Sequence, residues 1–254
     1  MPQLGQQELR RFAEDGYLVV RDVVPEALLA AADEEAEQLM AEREPDEGSR
    51  QPGQNAWFAP IARLPRCDEV LRKSPALAIA RELVAPNTID HAGFDSPRYA
   101  VTQIAITIPP WPQIPGGPHI DGWVPGDSFT MLAGVMLTDQ RTDQAGNLWV
   151  WPGSHLAHQQ MFRERGIDVL TGVTGHSTLL VPPLRLGAPV PVLGQRGDLV
   201  LAHFLLGHNK GGNVANYVRR TIYFRLSVPG HAQRADQTRV NAWLDYPAIA
   251  TLSR

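Results

Sequence analysis

A single cysteine, Cys67, stands in a chain of 254 residues. That excludes an internal disulfide and a zinc–thiolate cluster, each of which needs at least two thiols. No nearby residue obviously activates it, so it reads as a plain thiol rather than a nucleophile. Long hydrophobic runs are missing too. No stretch approaches the roughly 18 apolar residues of a membrane span, and the opening MPQLGQQELRRFAEDG lacks the apolar centre of a secretion signal. The expectation is a soluble protein in a reducing, cytoplasmic setting, with no membrane partner. Neither sign of charge dominates: 23 Lys and Arg against 27 Asp and Glu leave −4 at pH 7, which argues against a nucleic-acid partner held by phosphate contacts. The acids are uneven, 13 of them falling in the first 50 residues, and read as the solvated face of an N-terminal helix. No internal repeat and no interdomain linker is visible, which points to one domain spanning 1–254.

Glycine and proline are plentiful. There are 22 of each, without a collagen or low-complexity period, which excludes a helical bundle and favours short strands joined by turns. With 43% hydrophobic residues the chain can build a real core. Residues 1–97 read as largely helical. Gln6–Asp15 puts Leu9, Phe12 and Ala13 on one face, with Gly16 as its stop. YLVVRDVV (17–24) reads as a strand. Pro25 opens a helix to about Glu44, with Leu28, Leu29, Ala32, Ala36, Leu39 and Met40 as its apolar stripe. Ser74 caps a further helix that buries Leu77, Ile79, Ala80, Leu83 and Val84. The polar stretch PDEGSRQPGQN (45–55) is either an active-site lid or a surface loop.

After Pro86 the texture changes to β-rich runs between turns: 98–108, 129–138, 148–151, 178–181, 198–204 and 220–227. This pattern predicts an antiparallel sandwich or barrel core over 98–228, with the N-terminal helices buttressing one sheet and 229–254 as a C-terminal extension.

Among eight histidines, His119 is distinctive because it occurs as His119-Ile120-Asp121 after the bend IPPWPQIPGGP. In extended backbone, residues two apart point to one side, so an imidazole and a carboxylate converge. The pair is either a hydrogen-bonded turn or two thirds of a facial metal site, which would need a second histidine. Near the C-terminus, GDLVLAHFLLGHNKGGNVANYVRRTIYFRL offers His203 and His208 as that histidine, and Arg219 or Arg220 as an inward cation. If the Gly211-Gly212-Asn213 loop makes a hairpin, His208 and Arg219 sit on neighbouring strands. A buried arginine there requires an anionic partner, which a dicarboxylate supplies through two hydrogen bonds.

The order HxD, then GNLWVWPGSH (146–155), then GDLVLAHFLLGHNKGGN and a following arginine resembles the phytanoyl-CoA dioxygenase family, as does DGYLVVRDVVPEALL (15–29). The resemblance covers about 8–228. It implies a mainly β, double-stranded β-helix (a jelly roll, cupin-like) that uses iron(II), 2-oxoglutarate and O₂ to oxidise a small molecule, releasing succinate and CO₂. It implies iron ligands His119, Asp121 and His208, the second of the two histidines five apart, and Arg219 as partner of the distal carboxylate of 2-oxoglutarate. Thr221 would share the inward face with Arg219. Gln103 resembles a polar position that some members use to hold 2-oxoglutarate, and otherwise makes a hydrogen bond inside the barrel. Trp111 and Trp123, flanking the HxD turn, either line a substrate pocket or pack, while Trp149 and Trp151 pack on one strand face or touch ligand. Related halogenases replace the carboxylate ligand by a small residue, so Asp121 implies hydroxylation or another non-halogenating oxidation. A non-catalytic jelly roll that binds metal or a small molecule is the contrasting reading. A cupin is the third, and it lacks here its usual His-x-His and Glu. Loops 45–56, 111–118 and 156–177 are expected to build the substrate pocket.

Overall fold

The computed structural model describes residues 4–42, 56–60, 64–89, 102–121, 128–170 and 184–252. The expected loop 45–55, the strand 178–181 and Trp123 lie outside the described residues.

Helix α1 (Gln6–Asp15) buries Phe12 and Ala13 and stops at Gly16, whose φ of 79° suits glycine alone at low cost. A side chain there would also strike the His155 ring. Strand β1 (Tyr17–Val20) follows, shorter than the sequence suggested. Helix α2 (Glu26–Glu42) buries Leu29, Ala32 and Ala36. Its acidic face is not simply solvated. Glu26 and Asp33 pair with Arg196 at 3.0 Å, and Asp33 pairs with Arg220 at 2.7 Å, so part of the early acidity ties the helix to the sheet. Strand β2 (Ala56–Pro60) and helix α3 (Pro65–Arg72) were not foreseen, although Pro65 at the first turn and buried Cys67, Val70 and Leu71 are a short amphipathic signature. Helix α4 (Ala76–Val84) has Pro75 at the cap position. Ser74 still contributes, its Oγ accepting from the Ala76 amide at 3.2 Å.

From here the chain alternates between two antiparallel sheets. Strands β3 (Thr102–Thr107), β4 (Met131–Met136), β7 (Leu199–His203) and β9 (Arg219–Leu226) join β1 and β2 in a six-stranded sheet of order β1-β7-β4-β9-β3-β2. Strands β5 (Leu148–Val150), β6 (Val190–Pro191) and β8 (His208–Lys210) form the second, of order β6-β5-β8. An isolated bridge adds His119 beside His208 at its edge. The mainly β, antiparallel architecture is therefore present, with Ile104, Val135, Leu199, Leu201, Ile222 and Phe224 wholly buried in its core. The expected hairpin is not: His208 and Arg219 belong to different sheets, because the chain crosses over between 211 and 218 rather than turning back.

The expected loop 156–177 is in part helical, since α5 (Ser154–Arg165) occupies its start. Beyond β9 come α6 (Ala235–Val240) and α7 (Pro247–Ala250), in a segment tied to residues just before β4. His231 bridges Asp245 (2.6 Å) and Ser128 Oγ (3.0 Å), and Tyr246 donates its hydroxyl to the Thr130 carbonyl at 2.6 Å. No helix among the described residues is long and apolar enough to cross a membrane.

Candidate metal centre

The site begins with a backbone pairing. His119 and His208 exchange two hydrogen bonds, His119 N–H to His208 O at 3.0 Å and the reverse at 2.9 Å. Directly paired residues of antiparallel segments project to one face, so both imidazoles emerge together, ring centroids 4.4 Å apart. Asp121, two residues past His119, returns to the same face. Its Oδ1 lies 3.9 Å from His119 Nε2 and 3.7 Å from His208 Nε2. These separations are too long for hydrogen bonds and short enough for one ion to bond all three atoms.

The distal histidine is held from behind. His208 Nδ1 lies 2.9 Å from the Leu206 carbonyl, which can only accept, so this nitrogen carries the proton and Nε2 presents its lone pair to the centre. The turn before it is braced by α5: Ser154 Oγ accepts from the Gly207 amide at 2.8 Å, and His158 Nδ1 donates to the Leu205 carbonyl at 2.7 Å. The PGSH part of the sequence motif thus shapes the support of His208.

Electrostatics favour a cation. Burial and the neighbouring His208 push His119 down to about 3, so it is neutral. Burial alone would raise the Asp121 carboxyl, yet the Arg225 guanidinium and His208 hold it well below the usual carboxylate range. Burial opposes protonation of His208, but the facing carboxylate draws it up. Two imidazoles, one carboxylate oxygen and open coordination positions are the donor set of a non-haem iron(II) site.

Arg219 and Arg220 separate by strand alternation. Arg220 points outward to Asp33. Arg219 is 4% exposed and meets only neutral groups among the described residues: Tyr223 Oη at 2.8 Å, Gln140 Oε1 at 3.2 Å and the Ala105 carbonyl at 3.4 Å. A buried guanidinium without a counter-charge is costly, so this position suits an anion. Gly146 makes room for it, since a Cβ there would lie 2.8 Å from Arg219 Cβ. Thr221 sits on the same face, its hydroxyl accepting from Gln140 Nε2 at 2.9 Å. Gln103 faces Tyr223 across β3 and β9 and accepts from Arg225 Nη1 at 3.0 Å.

His203 is not at the centre. Both its ring nitrogens are engaged, one with the Ala242 carbonyl and one with the Leu205 amide. Trp111 is buried and pairs by backbone with Asn213. The sequence reading missed Arg225, Gln140 and Lys210. Arg225 had a signal, because strand alternation from Arg219 leads through Thr221 and Tyr223 to it. Lys210, two past His208, is lowered to about 8 by burial.

A family model described as phytanoyl-CoA dioxygenase (PhyH) matches residues 12–221. The chain belongs to the phytanoyl-CoA dioxygenase family. It is accordingly an iron- and 2-oxoglutarate-dependent oxygenase, and the His-Asp-His group is a set of residues that could hold such a metal. No curated protein matches the chain. Solved structures similar to this family member include the epimerase SnoN in complex with Fe³⁺, alpha-ketoglutarate and nogalamycin RO, at 21% identity and a TM-score of 0.64, covering 88% of this chain and 83% of SnoN. The alpha-ketoglutarate-dependent carbocyclase SnoK from nogalamycin biosynthesis is similar at 20% identity and a TM-score of 0.58, over 91% and 90%. HygX from Streptomyces hygroscopicus, with nickel, 2-oxoglutarate and hygromycin B bound, is similar at 16% identity and a TM-score of 0.56, over 89% and 88%. At these identities the likeness is one of fold.

Proposed function

We propose that the protein hydroxylates an unactivated C–H bond of a small organic molecule, a natural-product intermediate being the class its structural neighbours suggest. The substrate C–H, O₂ and 2-oxoglutarate become the alcohol, succinate and CO₂. In this reading the chain is a single oxygenase domain, a double-stranded β-helix whose N-terminal helices brace the larger sheet through Arg196 and Arg220. His119, Asp121 and His208 hold iron(II). Arg219, kept in place by Gln140 and Tyr223, receives the distal carboxylate of 2-oxoglutarate, with Thr221 beside it. Bound there, the iron and cosubstrate supply oxidising power, while the protein orients substrate and excludes water. The reading rests on the His-Asp-His group, whose ligand atoms are close enough to hold one ion, and on a buried Arg219 that meets only neutral groups among the described residues.

The test is succinate formation by purified protein given iron(II), 2-oxoglutarate and a metabolite pool, followed by accurate mass of the product. A gain of one oxygen is expected, and turnover is lost in His119→Ala and His208→Ala. Turnover intact in either variant refutes the ligand assignment. Because neighbours include an epimerase and a carbocyclase, the product mass decides the outcome of the reaction: unchanged mass means epimerisation, and loss of two hydrogens means ring closure or desaturation.

A further inference from the structure

The carboxylate of Asp121 divides its two oxygens between different partners. Oδ1 faces both histidines, while Oδ2 accepts from Arg225 twice, from Nη2 at 2.8 Å and from Nε at 3.2 Å. Arg225 comes from β9, six residues past Arg219 on the same strand face, and is 7% exposed. Its third nitrogen donates to Gln103 Oε1 at 3.0 Å, and its guanidinium carbon lies 5.6 Å from the centre of the Phe129 ring. The planar fork is thus fixed on one side by an amide from β3 and set against a ring that precedes β4. A fork held this way has little freedom, and a carboxylate docked on it through one oxygen loses its own rotation.

We propose that Arg225, braced by Gln103, is a positioning residue that restricts Asp121 to binding the metal through Oδ1 alone. The inference rests on the metal-site reading above and deepens it. A carboxylate can bind a metal with one oxygen or two, and the two-oxygen mode would occupy a position that 2-oxoglutarate or O₂ requires. Arg225 removes that choice by engaging Oδ2. It also gives the buried carboxylate a counter-charge before any metal arrives, so the site is organised in advance. A cation near a cation has a Coulombic cost, so the proposal makes a signed claim: the gain from a fixed, fully hydrogen-bonded ligand outweighs that repulsion. Arg225 acts through Asp121 and is given no contact with substrate.

The experiment measures Co(II) binding to the apoprotein, using the visible absorption of Co(II) as a readout of coordination, together with 2-oxoglutarate affinity at saturating Co(II). The variants are Arg225→Leu, Arg225→Lys and Gln103→Leu. Arg225→Leu is expected to weaken Co(II) binding about 10- to 100-fold, the usual effect of losing an outer partner of a metal ligand, and to alter the Co(II) spectrum. Arg225→Lys, which keeps the charge and loses the fork, falls between, and Gln103→Leu gives a smaller loss in the same direction. Should Arg225→Leu fail to fold, the ordering of the other two variants decides. Co(II) affinity and spectrum equal to wild type, or tighter binding, overturn the proposal. Unchanged Co(II) affinity with weakened 2-oxoglutarate binding also overturns it and makes Arg225 a cosubstrate contact. If the wild-type protein binds no Co(II), it is the metal-site reading that fails, an outcome distinct from the others.

Discussion

Gly146→Ala tests how the surroundings of Arg219 are built. Gly146 has a φ of 77°, and its position faces the stem of Arg219: an added Cβ would lie 2.8 Å from Arg219 Cβ, 2.9 Å from Cγ and 3.2 Å from Cδ. Two costs follow. The left-handed backbone costs an alanine about 1–2 kcal/mol. Relieving the overlap costs about 1–3 kcal/mol more, because Cβ and Cγ are anchored to β9 and cannot swing away as a side-chain end could. The sum is about 2–5 kcal/mol, or a melting temperature lower by about 5–15 °C for a chain of this size. The guanidinium must also move off Gln140 and Tyr223, so 2-oxoglutarate affinity falls about tenfold, equivalent to roughly 1.4 kcal/mol. Gly153→Ala is the control. Gly153 has a φ of 75°, but a Cβ there would meet only the Glu14 carbonyl at an ordinary 3.6 Å, so it carries the backbone cost alone. Thermal melts and 2-oxoglutarate titrations of both variants at saturating Co(II) read the two costs separately. Equal destabilisation in both variants, with wild-type 2-oxoglutarate affinity in Gly146→Ala, would refute the reasoning.

Other perturbations separate binding from stability. Arg219→Leu is expected to weaken 2-oxoglutarate binding by about 100-fold, two charge-assisted hydrogen bonds being worth roughly 3 kcal/mol or more, with Co(II) affinity retained. The Arg219→Leu apoprotein should melt no lower than wild type, because a buried cation with no counter-charge among the described residues is removed; a clear drop in its melting temperature would contradict that. Asp245→Ala strips His231 and Arg234 of their shared carboxylate and should cost about 3 kcal/mol in denaturant unfolding, leaving Co(II) affinity unchanged. Acid sensitivity follows from buried neutral imidazoles. Burial lowers His155 from 6.5 to about 4 and holds His203 well below its ordinary range. Between about pH 6.5 and 4 the unfolded chain takes up protons that the folded chain refuses, so stability is full above that window and falls as pH drops through it. For His155 the loss reaches about 3 kcal/mol, and urea midpoints independent of pH over this range would rule it out.

Much of the site was legible because it rests on period-two geometry. His119 and Asp121 share a face for that reason, and the same rule separates Arg219 from Arg220. Carried three steps on from Arg219, through Thr221 and Tyr223, it reaches Arg225, which the reading overlooked by stopping at Thr221. The pairing of His119 with His208 was not legible from local pattern, since it joins segments 89 residues apart through a strand only three residues long. That short strand also explains the false hairpin: glycines at 211 and 212 mark a crossing between sheets as readily as a turn. Helix α5 was hidden because its buried face carries Ser154, His155 and His158, polar residues whose partners come from distant segments. The acidic face of α2 looked solvated because Arg196 and Arg220, which pair with it, lie more than 160 residues away in sequence.

The central claim is that one metal, held by His119, Asp121 and His208, is chelated by a 2-oxoglutarate whose far end lies on Arg219. Anaerobic addition of 2-oxoglutarate to the iron(II)-loaded protein tests it most directly, by the visible charge-transfer absorption that chelation of iron(II) by this cosubstrate produces. The band should appear in the wild type, be absent in His208→Ala, and demand much higher 2-oxoglutarate in Arg219→Leu. A wild-type protein without the band, or a His208→Ala variant that retains it, would contradict the account.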